Sequence, residues 1–466
     1  IDNDGLPDVF LSRQSDGGRL YKNLGNFKFE DITLKSGIKS DEMWSTGVTF
    51  ADVNNDGWLD IFICGFDSPN RLYINQKASF KESAEDYGLD YKGASVVMSF
   101  SDFDLDGDLD AYLLTNRLEN TGATSKAKII KNRTKPLQVH PDSRELGYFV
   151  RPPGRMPLLI NAGQYDYLYR NDNGRFVDIT VESGIGKNPY YGLSSTWWDY
   201  NSDGWPDLYV ANDYMGPDHL FRNEGVDSNG NIKFVDVIED AVPYTPWFSM
   251  GSDVADLDGN GGDDLFTLDM SGTNHFRQKT TMGTMNSHKV FLETANPRQY
   301  MRNALLMNEG EGLFREAAYL AGLADADWGW APKLEDFDED GRVDVFITNG
   351  MTQNFTNSDL PMSAQDRIGQ TEFDHYRATG FKKDVNLAFR NAGKLNFTKV
   401  SEVWGLDHEG MSFAAAHGDL DRDGDLDLIV ANLNEPAHFY RNDSFEGNRV
   451  LLSLKGPKAW GTKVTV

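Results

Sequence analysis

The sequence predicts an all-β protein, a seven-bladed β-propeller with an acidic loop between the first two strands of each blade. Three observations predict this fold. An acidic loop pattern recurs seven times along the 466 residues, short strands with fixed core residues follow each copy, and glycines separate the units. Without insertions a unit is about 50 residues long and holds four strands, which is typical of propeller blades.

The recurring loop follows the pattern Asp-x-Asp/Asn-x-Asp/Asn-Gly-x-x-Asp, and we number its residues 1 to 9. Oxygen-bearing side chains occupy positions 1, 3, 5 and 9, and glycine occupies position 6. The copy that opens the chain starts at position 2, so its first ligand would lie one residue before Ile1. In chain order the ligand candidates are Asp2, Asp4 and Asp8; Asp52, Asn54, Asp56 and Asp60; Asp102, Asp104, Asp106 and Asp110; Asp199, Asn201, Asp203 and Asp207; Asp256, Asp258, Asn260 and Asp264; Asp336, Asp338, Asp340 and Asp344; and Asp419, Asp421, Asp423 and Asp427.

This pattern has the ligand chemistry of a calcium site. Calcium takes about six to eight oxygen ligands in a flexible shell, and a glycine lets the chain turn sharply around it. No Cys or His lies in the loops, which argues against zinc. For a single copy, an Asp/Gly turn without an ion is an equal alternative. Seven copies in register instead predict up to seven calcium ions, one in each blade, with the first site incomplete.

The segments between the loops predict four strands in each unit. The strand after the loop is apolar, as in residues 59–64, and the next strand has a Leu-Tyr-x-Asn core, as in residues 20–23. The last strand of a unit usually begins with Phe, as at Phe29, and a further strand such as 47–51 leads into the next loop. A solenoid of the same units is the alternative, but a closed ring removes the long exposed edges that a solenoid would leave.

Composition argues against several classes of function. The net charge of −27 disfavours nucleic-acid binding. The sequence holds no run of 18 apolar residues, so we expect no membrane span. The single cysteine, Cys64, lies in an apolar stretch, so we expect a buried thiol and no intrachain disulfide.

These loops and strands resemble the FG-GAP/VCBS repeats of the integrin-α-like class of β-propellers. More closely, the chain resembles propeller proteins that carry a C-terminal ASPIC/UnbV domain. The residues that carry this second resemblance are Ser-Met-Gly-Ser-Asp-Val-Ala-Asp at 249–256, Leu-Asp-Met at 268–270 with Arg-Gln-Lys at 277–279, and Asp-Trp-Gly-Trp-Ala-Pro at 327–332. Residues 446–466 resemble the start of that C-terminal domain, cut short, and residues 1–445 would form the propeller. The resemblance implies a secreted or surface-exposed protein that binds calcium through the loop residues named above, but it implies no single activity.

Three insertions interrupt the repeat, at residues 117–164, 271–301 and 351–385. Each lies between the second and third strands of its blade, so we expect all three on the face opposite the calcium loops, where long loops commonly carry function. The first insertion is basic, and aromatic side chains lie in the loops of the same face. The ligand-binding candidates are Lys131, Arg133, Arg151, Arg155, Trp44, Tyr190, Tyr191, Trp247, Trp328 and Trp330. Internal ion pairs and packing between blades are their alternative roles.

The predicted function is that of an extracytoplasmic binding or adhesion module (extracellular, periplasmic or at the cell surface) whose partner is a glycan or a protein. No Gly-x-Ser-x-Gly or His-Glu-x-x-His motif occurs, so no catalytic residue is assigned and a binding protein is favoured over an enzyme. Two alternatives stay open: a carbohydrate-active lyase or dehydratase on the same face, and a structural subunit of a larger surface assembly.

Overall fold

The computed structural model describes the chain except for residues 40–41, 119–122, 132–135, 152–155, 187, 215, 282–294, 355, 360–373, 375–376, 445–451 and 453–466. The described residues form two compact units. The first holds Ile1–Ile238 with Asp419–Asp423, and the second holds Glu239–Gly418 with residues 424–444. Antiparallel sheet dominates both units, which confirms the all-β prediction. None of the described helices is long and apolar enough to cross a membrane.

The first unit contains strands β1 to β19. Their bounds are β1 Val9–Leu11, β2 Arg19–Asn23, β3 Phe29–Asp31, β4 Ser45–Ala51, β5 Asp60–Pro69, β6 Arg71–Asn75, β7 Phe80–Glu82, β8 Lys92–Ser101, β9 Asp110–Thr115, β10 Ile129–Ile130, β11 Gln138–Val139, β12 Tyr148–Val150, β13 Leu158–Ile160, β14 Tyr167–Asn171, β15 Phe176–Asp178, β16 Tyr191–Trp198, β17 Asp207–Asp213, β18 His219–Val226 and β19 Ile232–Asp236. Strands β1–β3 form a three-stranded sheet and β16–β19 a four-stranded sheet. Strands β4–β7 and the set β8, β9, β14 and β15 are two four-stranded arrays that merge where β5 pairs with β8.

The second unit contains strands β20 to β34. Their bounds are β20 Tyr244–Pro246, β21 Ser252–Ala255, β22 Asp264–Thr267, β23 Arg298–Tyr300, β24 Ala304–Asn308, β25 Phe314–Glu316, β26 Gly329–Glu335, β27 Asp344–Asn349, β28 Asp384–Val385, β29 Leu387–Asn391, β30 Phe397–Lys399, β31 Glu409–Gly410, β32 Ser412–Gly418, β33 Asp427–Asn432 and β34 His438–Tyr440. Two four-stranded sheets have the orders β21-β22-β24-β25 and β26-β27-β29-β30, and β32–β34 form a three-stranded sheet.

The described helices are short. They are α1 Ala84–Tyr87, α2 Ala123–Lys126, α3 Ile238–Ala241, α4 His275–Thr280 and α5 Ala318–Ala321, with one 3₁₀ turn at Pro141–Ser143. Helices α1 and α5 follow the fourth strands β7 and β25, and each ends at a glycine, Gly88 or Gly322, with left-handed backbone. These helices therefore serve as turns that lead from one repeat to the next.

Each four-stranded array repeats the predicted order of strands. An acidic loop connects the first strand to the second, as from β4 to β5, and the third strand, β6, carries the Leu-Tyr-x-Asn core. The predicted insertions leave the far end of the second strand, as where β9 is followed by the hairpins β10–β11 and β12–β13 before β14 begins. Within one repeat, the acidic loop and the insertion therefore lie at opposite ends of the second strand.

The second strand of a repeat is buried on both faces, which explains its continuous apolar sequence. Because side chains alternate along a strand, Ile61 and Ile63 of β5 face one hydrophobic core, and Phe62 and Cys64 face the next. Cys64 is a free, fully buried cysteine, as predicted, and burial raises the pKa of its thiol. Such a thiol packs as a small apolar side chain.

Candidate metal loops

The acidic loops share one backbone conformation, which positions 4 and 6 set. Position 6 is a glycine with φ between 83° and 100° in all seven loops, and position 4 has φ between 57° and 77°. A Cβ added to Gly57, Gly107 or Gly204 would meet no heavy atom within 4 Å. The left-handed backbone, and not a lack of space, therefore requires glycine at position 6. Position 4 shares this conformation without being glycine in six loops, a feature that the sequence pattern did not indicate.

The aspartate at position 1 closes the turn. Asp52 Oδ1 accepts a hydrogen bond from Asp56 N at 3.0 Å, and its Oδ2 accepts one from Gly57 N at 2.8 Å. The same pair of bonds forms in the 199–207, 256–264 and 336–344 loops. The loop is therefore held in its curved shape by one of its own candidate ligands.

The aspartate at position 9 is the most deeply buried of the candidate ligands. Asp60 is 1% exposed, its Oδ2 accepts from Val53 N at 3.1 Å, and its Oδ1 accepts from Asn75 N at 2.7 Å. Burial raises the pKa of Asp60 to about 7, and it raises the pKa of Asp207 to about 8. A carboxylate in this setting is costly to ionise unless a cation lies beside it.

Three loops that lie wholly within one unit bring one oxygen from each of positions 1, 3 and 9 within 4.8 Å of one another. These groups are Asp102, Asp104 and Asp110; Asp256, Asp258 and Asp264; and Asp336, Asp338 and Asp344. In the 52–60 and 199–207 loops position 3 is asparagine, and its side chain donates to the aspartate at position 5. Asn54 Nδ2 donates to Asp56 Oδ2 at 3.2 Å, and Asn201 Nδ2 donates to Asp203 Oδ2 at 2.9 Å. The 419–427 loop is divided between the two units.

Two of these carboxylates leave a buried oxygen without a hydrogen bond. Asp102 Oδ1 and Asp338 Oδ1 accept none from the described residues. Burial, reinforced by the neighbouring Asp106, raises the pKa of Asp104 to about 6. An unsatisfied buried acceptor costs about 1–3 kcal/mol, and more when it is charged. Convergent oxygens that lack a donor are the arrangement that a hard divalent cation stabilises, so these residues fit calcium.

Two loops hold a basic side chain against their carboxylates. Lys22 Nζ contacts Asp2 and lies 3.4 Å from Asp4 Oδ2. Arg390 contacts Asp338, and its Nη2 lies 2.8 Å from Asp340 Oδ2. Both cations stand at the x position of the Leu-Tyr-x-Asn core, one residue before the asparagine. Basic residues recur at this position of the sequence, at Lys22, Arg170, Arg222, Arg390 and Arg441, and this recurrence is a signal for such contacts.

The predicted aromatic candidates differ in exposure. Trp247 is 1% exposed, Trp328 is 7% exposed and Tyr191 is 6% exposed, so each packs inside the fold. Trp44 is 45% exposed and lies against Phe66, with ring centroids 4.9 Å apart. Trp44 therefore presents an aromatic face to solvent.

Two further aromatic candidates are partly buried. Trp330 donates from Nε1 to Gly350 O at 2.6 Å. Tyr190 packs against Tyr148 and His219, with ring centroids 5.6 and 5.4 Å apart. Both side chains therefore have structural partners within their own units.

The basic candidates lie in the first insertion. Lys131 and Arg151 are exposed, and the Arg151 guanidinium lies 5.9 Å from the Phe149 ring centroid and donates to Leu137 O. Arg133 and Arg155 lie outside the described residues, as does almost all of the 446–466 tail. Lys131 and Arg151 leave positive charge accessible on an acidic protein.

Sequence reasoning did not bring together a group of titratable residues in the second unit. His408 Nε2 lies 2.9 Å from Glu435 Oε2, Lys383 pairs with the same carboxylate, and the His438 ring centroid is 4.2 Å from that of His408. Glu435 is 27 residues from His408 and 52 residues from Lys383 along the chain, and no periodic pattern marks these residues.

The FG-GAP-like repeat matches residues 1–63, 52–113 and 199–267. The matched segments contain the acidic loops 1–8, 52–60, 102–110, 199–207 and 256–264. The repeats and the recurring antiparallel sheets support an FG-GAP β-propeller.

The chain is also similar to cartilage acidic protein 1. The Xenopus tropicalis protein is 25% identical over 181 residues, which are 35% of this chain and 28% of that protein. The Mus musculus protein is 27% identical over 127 residues, which are 27% of this chain and 20% of that protein. The chain thus spans less than a third of the length of these relatives.

Two solved structures align with most of the chain at low scores. Bacillus licheniformis rhamnogalacturonan lyase PL11 aligns with a TM-score of 0.36 and 15% identity, over 96% of this chain and 62% of that one. The Dos1 propeller aligns with a TM-score of 0.30 and 8% identity, over 94% of this chain and 97% of that one. Neither likeness is close enough to assign an activity.

Proposed function

We propose that this chain is a seven-bladed FG-GAP β-propeller that binds calcium in its acidic loops and acts outside the cytoplasm as a binding module for a glycan or a protein. The observation that carries the proposal is the recurring loop itself. Convergent carboxylates, two of them with a buried unpaired oxygen, recur on one backbone conformation. Calcium would coordinate these oxygens, and in the 336–344 loop it would replace the Arg390 guanidinium.

Closure into a ring is supported by the contacts of the first repeat. Asn23 Nδ2 donates to Leu420 O at 2.8 Å, and Leu420 belongs to the last acidic loop of the chain. The same bond joins consecutive repeats elsewhere, for instance Asn171 to Val53. The first repeat therefore takes the last loop as its preceding neighbour, which a closed propeller requires and an open solenoid does not.

A location outside the cytoplasm agrees with the loop chemistry. Calcium modules of the extracellular space bind with dissociation constants of about 10⁻⁴–10⁻³ M. Such weak binding suits exposed loops in which asparagine replaces a carboxylate or a basic side chain pairs with the ligands. The similarity to cartilage acidic protein 1, over part of its length, and the FG-GAP-like repeats favour the same location. The protein would be loaded with calcium wherever the ion is abundant.

The proposed binding surface is the end of the repeats that carries the insertions. In the third repeat the acidic loop precedes β9 and the first insertion follows it, so partner contacts at this insertion would leave the metal loop undisturbed. Exposed Lys131 and Arg151 favour an anionic glycan or an acidic protein surface. Trp44, half exposed, offers a flat ring on which a sugar or an apolar side chain can stack.

The test is binding of the calcium-loaded chain to a broad glycan array and to immobilised acidic proteins. The double variant Lys131→Ala/Arg151→Ala should lose most of the signal. The exposed Lys35→Ala is the matched control, because Lys35 pairs with Glu30 outside the insertions, and it should bind like the wild type. Binding that the double variant retains in full would contradict the proposed surface.

A further inference from the structure

One asparagine recurs in or just after the third strand of every repeat, and in six repeats its side chain bonds to another acidic loop. We call Asn23, Asn75, Asn171, Asn223, Asn308, Asn391 and Asn442 the linking asparagines. We propose that they couple neighbouring loops, so that calcium in one loop raises the calcium affinity of the next. This inference rests on the proposed calcium function.

Within its own repeat a linking asparagine holds the carboxylate at position 9. Its backbone N–H donates to Oδ1 of that aspartate over 2.7 to 2.9 Å in all seven repeats. Its Nδ2 donates to the carbonyl oxygen of position 8, as from Asn171 to Leu109 at 3.1 Å. Its Oδ1 accepts from the following turn, as from Gly174 N at 2.7 Å. With these atoms fixed, the asparagine follows any movement of its position-9 aspartate.

The same Nδ2 also reaches the preceding repeat. It donates to the carbonyl oxygen of position 2 in that repeat's acidic loop over 2.8 to 3.1 Å. The pairs in which this bond is seen are Asn23–Leu420, Asn75–Ile1, Asn171–Val53, Asn223–Phe103, Asn391–Leu257 and Asn442–Phe337. Both hydrogens of the amide are thereby used, one in each repeat.

Position 2 passes the contact on to position 9 of the preceding loop. Val53, which accepts from Asn171, donates its N–H to Asp60 Oδ2 at 3.1 Å. Asp110 and Asp60, candidate ligands of different repeats, are therefore connected through Asn171 and Val53. All four residues are at most 1% exposed. Water does not compete for these bonds, so a shift at one carboxylate is transmitted to the other.

This path gives calcium binding a coupling between loops. An ion on the 102–110 loop fixes Asp110 and, through Asn171, fixes Val53 and Asp60. The next ion then meets a loop that is already ordered and pays a smaller entropic cost. The coupling is reciprocal, as linkage requires. A hydrogen bond of ordinary net strength supports about a three- to tenfold change in affinity.

Terbium, a luminescent substitute for calcium that a nearby indole sensitises, can read out one loop of the full chain. Trp58 stands at position 7 of the 52–60 loop, and its N–H donates to Asp56 Oδ1 at 2.9 Å. The part of the emission that Trp58→Phe abolishes reports this loop. Asp104→Ala removes a ligand from the 102–110 loop alone. We expect it to raise the terbium midpoint of the 52–60 loop about three- to tenfold.

The linking role is tested in the Asn171→Ala background. There, Asp104→Ala should change the Trp58-reported midpoint no further. Asp258→Ala, the same change in the 256–264 loop of the second unit, is the matched control and should leave that midpoint unchanged. If Asp104→Ala does not change the Trp58-reported midpoint in the otherwise wild-type chain, the coupling is overturned and the calcium proposal still stands. Absence of Trp58-sensitised emission from folded protein would overturn both proposals. If Asn171→Ala fails to fold, Asp104→Ala alone still decides.

Discussion

Arg390 Nη2 lies 2.8 Å from Asp340 Oδ2, so a basic residue of the third strand pairs with a candidate calcium ligand of its own repeat. Its Nε contacts Asp338, a second candidate ligand. The guanidinium therefore neutralises the carboxylates that an ion would use. In the 256–264 repeat the equivalent position is Met307, which brings no charge. The loops thus differ in how strongly an internal cation competes with calcium.

Arg390→Met should raise the calcium affinity of the 336–344 loop several-fold, because calcium then displaces one paired guanidinium, that of Arg342, instead of two. An exposed ion pair of this kind is worth about 0.2–1 kcal/mol. Calcium titration by calorimetry measures the change, which Asp338→Ala should abolish in the double variant. Arg222→Met is the matched control, because Arg222 pairs with Glu224 outside the loop. An equal gain in both variants would show that net charge, and not this contact, controls affinity.

Positions 5 and 9 should respond differently to loss of charge. Asp60→Asn places an amide donor against the N–H groups of Val53 and Asn75, and should destabilise the protein by about 1–3 kcal/mol with or without calcium. Asp56→Asn, in the exposed part of the same loop, should weaken only the calcium-loaded form. Urea unfolding with and without a chelator compares the two variants. A loss for Asp56→Asn that is equal with and without the chelator would contradict this division between scaffold and ligand.

The glycine at position 6 should be required for its backbone conformation. Gly57→Ala has space for the methyl group but must adopt φ of 85°, which costs about 1–2 kcal/mol. Gly418→Ala, at the end of β32, also has open space and does not have a left-handed φ, so it should be close to neutral. Urea unfolding of the two variants gives the comparison. A Gly57→Ala protein as stable as the wild type would refute the requirement.

Stability should fall at acidic pH through His438. Burial and the neighbouring His408 lower the pKa of His438, while Glu435 opposes the shift; Lys383 and Tyr440 complete the group. Because the folded pKa is depressed, its contribution is present above the unfolded value of about 6.5 and is lost as pH falls through the folded value.

His438→Gln removes this contribution. As pH falls from about 8 to about 5, the free energy of unfolding of the wild type should therefore decrease relative to that of the variant. Thermal unfolding over this pH range measures the gap, and comparison with the variant cancels the titration of the carboxylates. A gap that is constant with pH would count against the assignment.

The strands and loops could be predicted because their signals are local and repeated. The spacing from Asp52 to Asp60 fixes a loop at the start of a strand, whatever lies elsewhere in the chain. The contacts between repeats were not visible in this way. Asn171 meets Val53, which is 118 residues away, and no pattern within one repeat reveals that partner.

The exposure of the aromatic candidates could not be predicted from the sequence either. Trp247 is 1% exposed and Trp44 is 45% exposed, although both occupy loops of the same kind between repeats. Their difference depends on which neighbours cover them, and in the case of Trp247 the loop is held by Asp269, whose Oδ2 accepts from Trp247 N at 2.8 Å. A residue type predicts a preference for burial, whereas packing decides it.

We propose that the acidic loops hold calcium and that the ion stabilises the fold. The most direct test is to count bound calcium per chain by equilibrium dialysis with atomic emission, and to measure Tm on the same sample before and after chelation. We expect several ions, up to seven, and a Tm that falls on chelation and recovers when calcium returns. A folded chain that binds no calcium, or whose Tm is unchanged by its removal, would contradict the stabilising role of calcium.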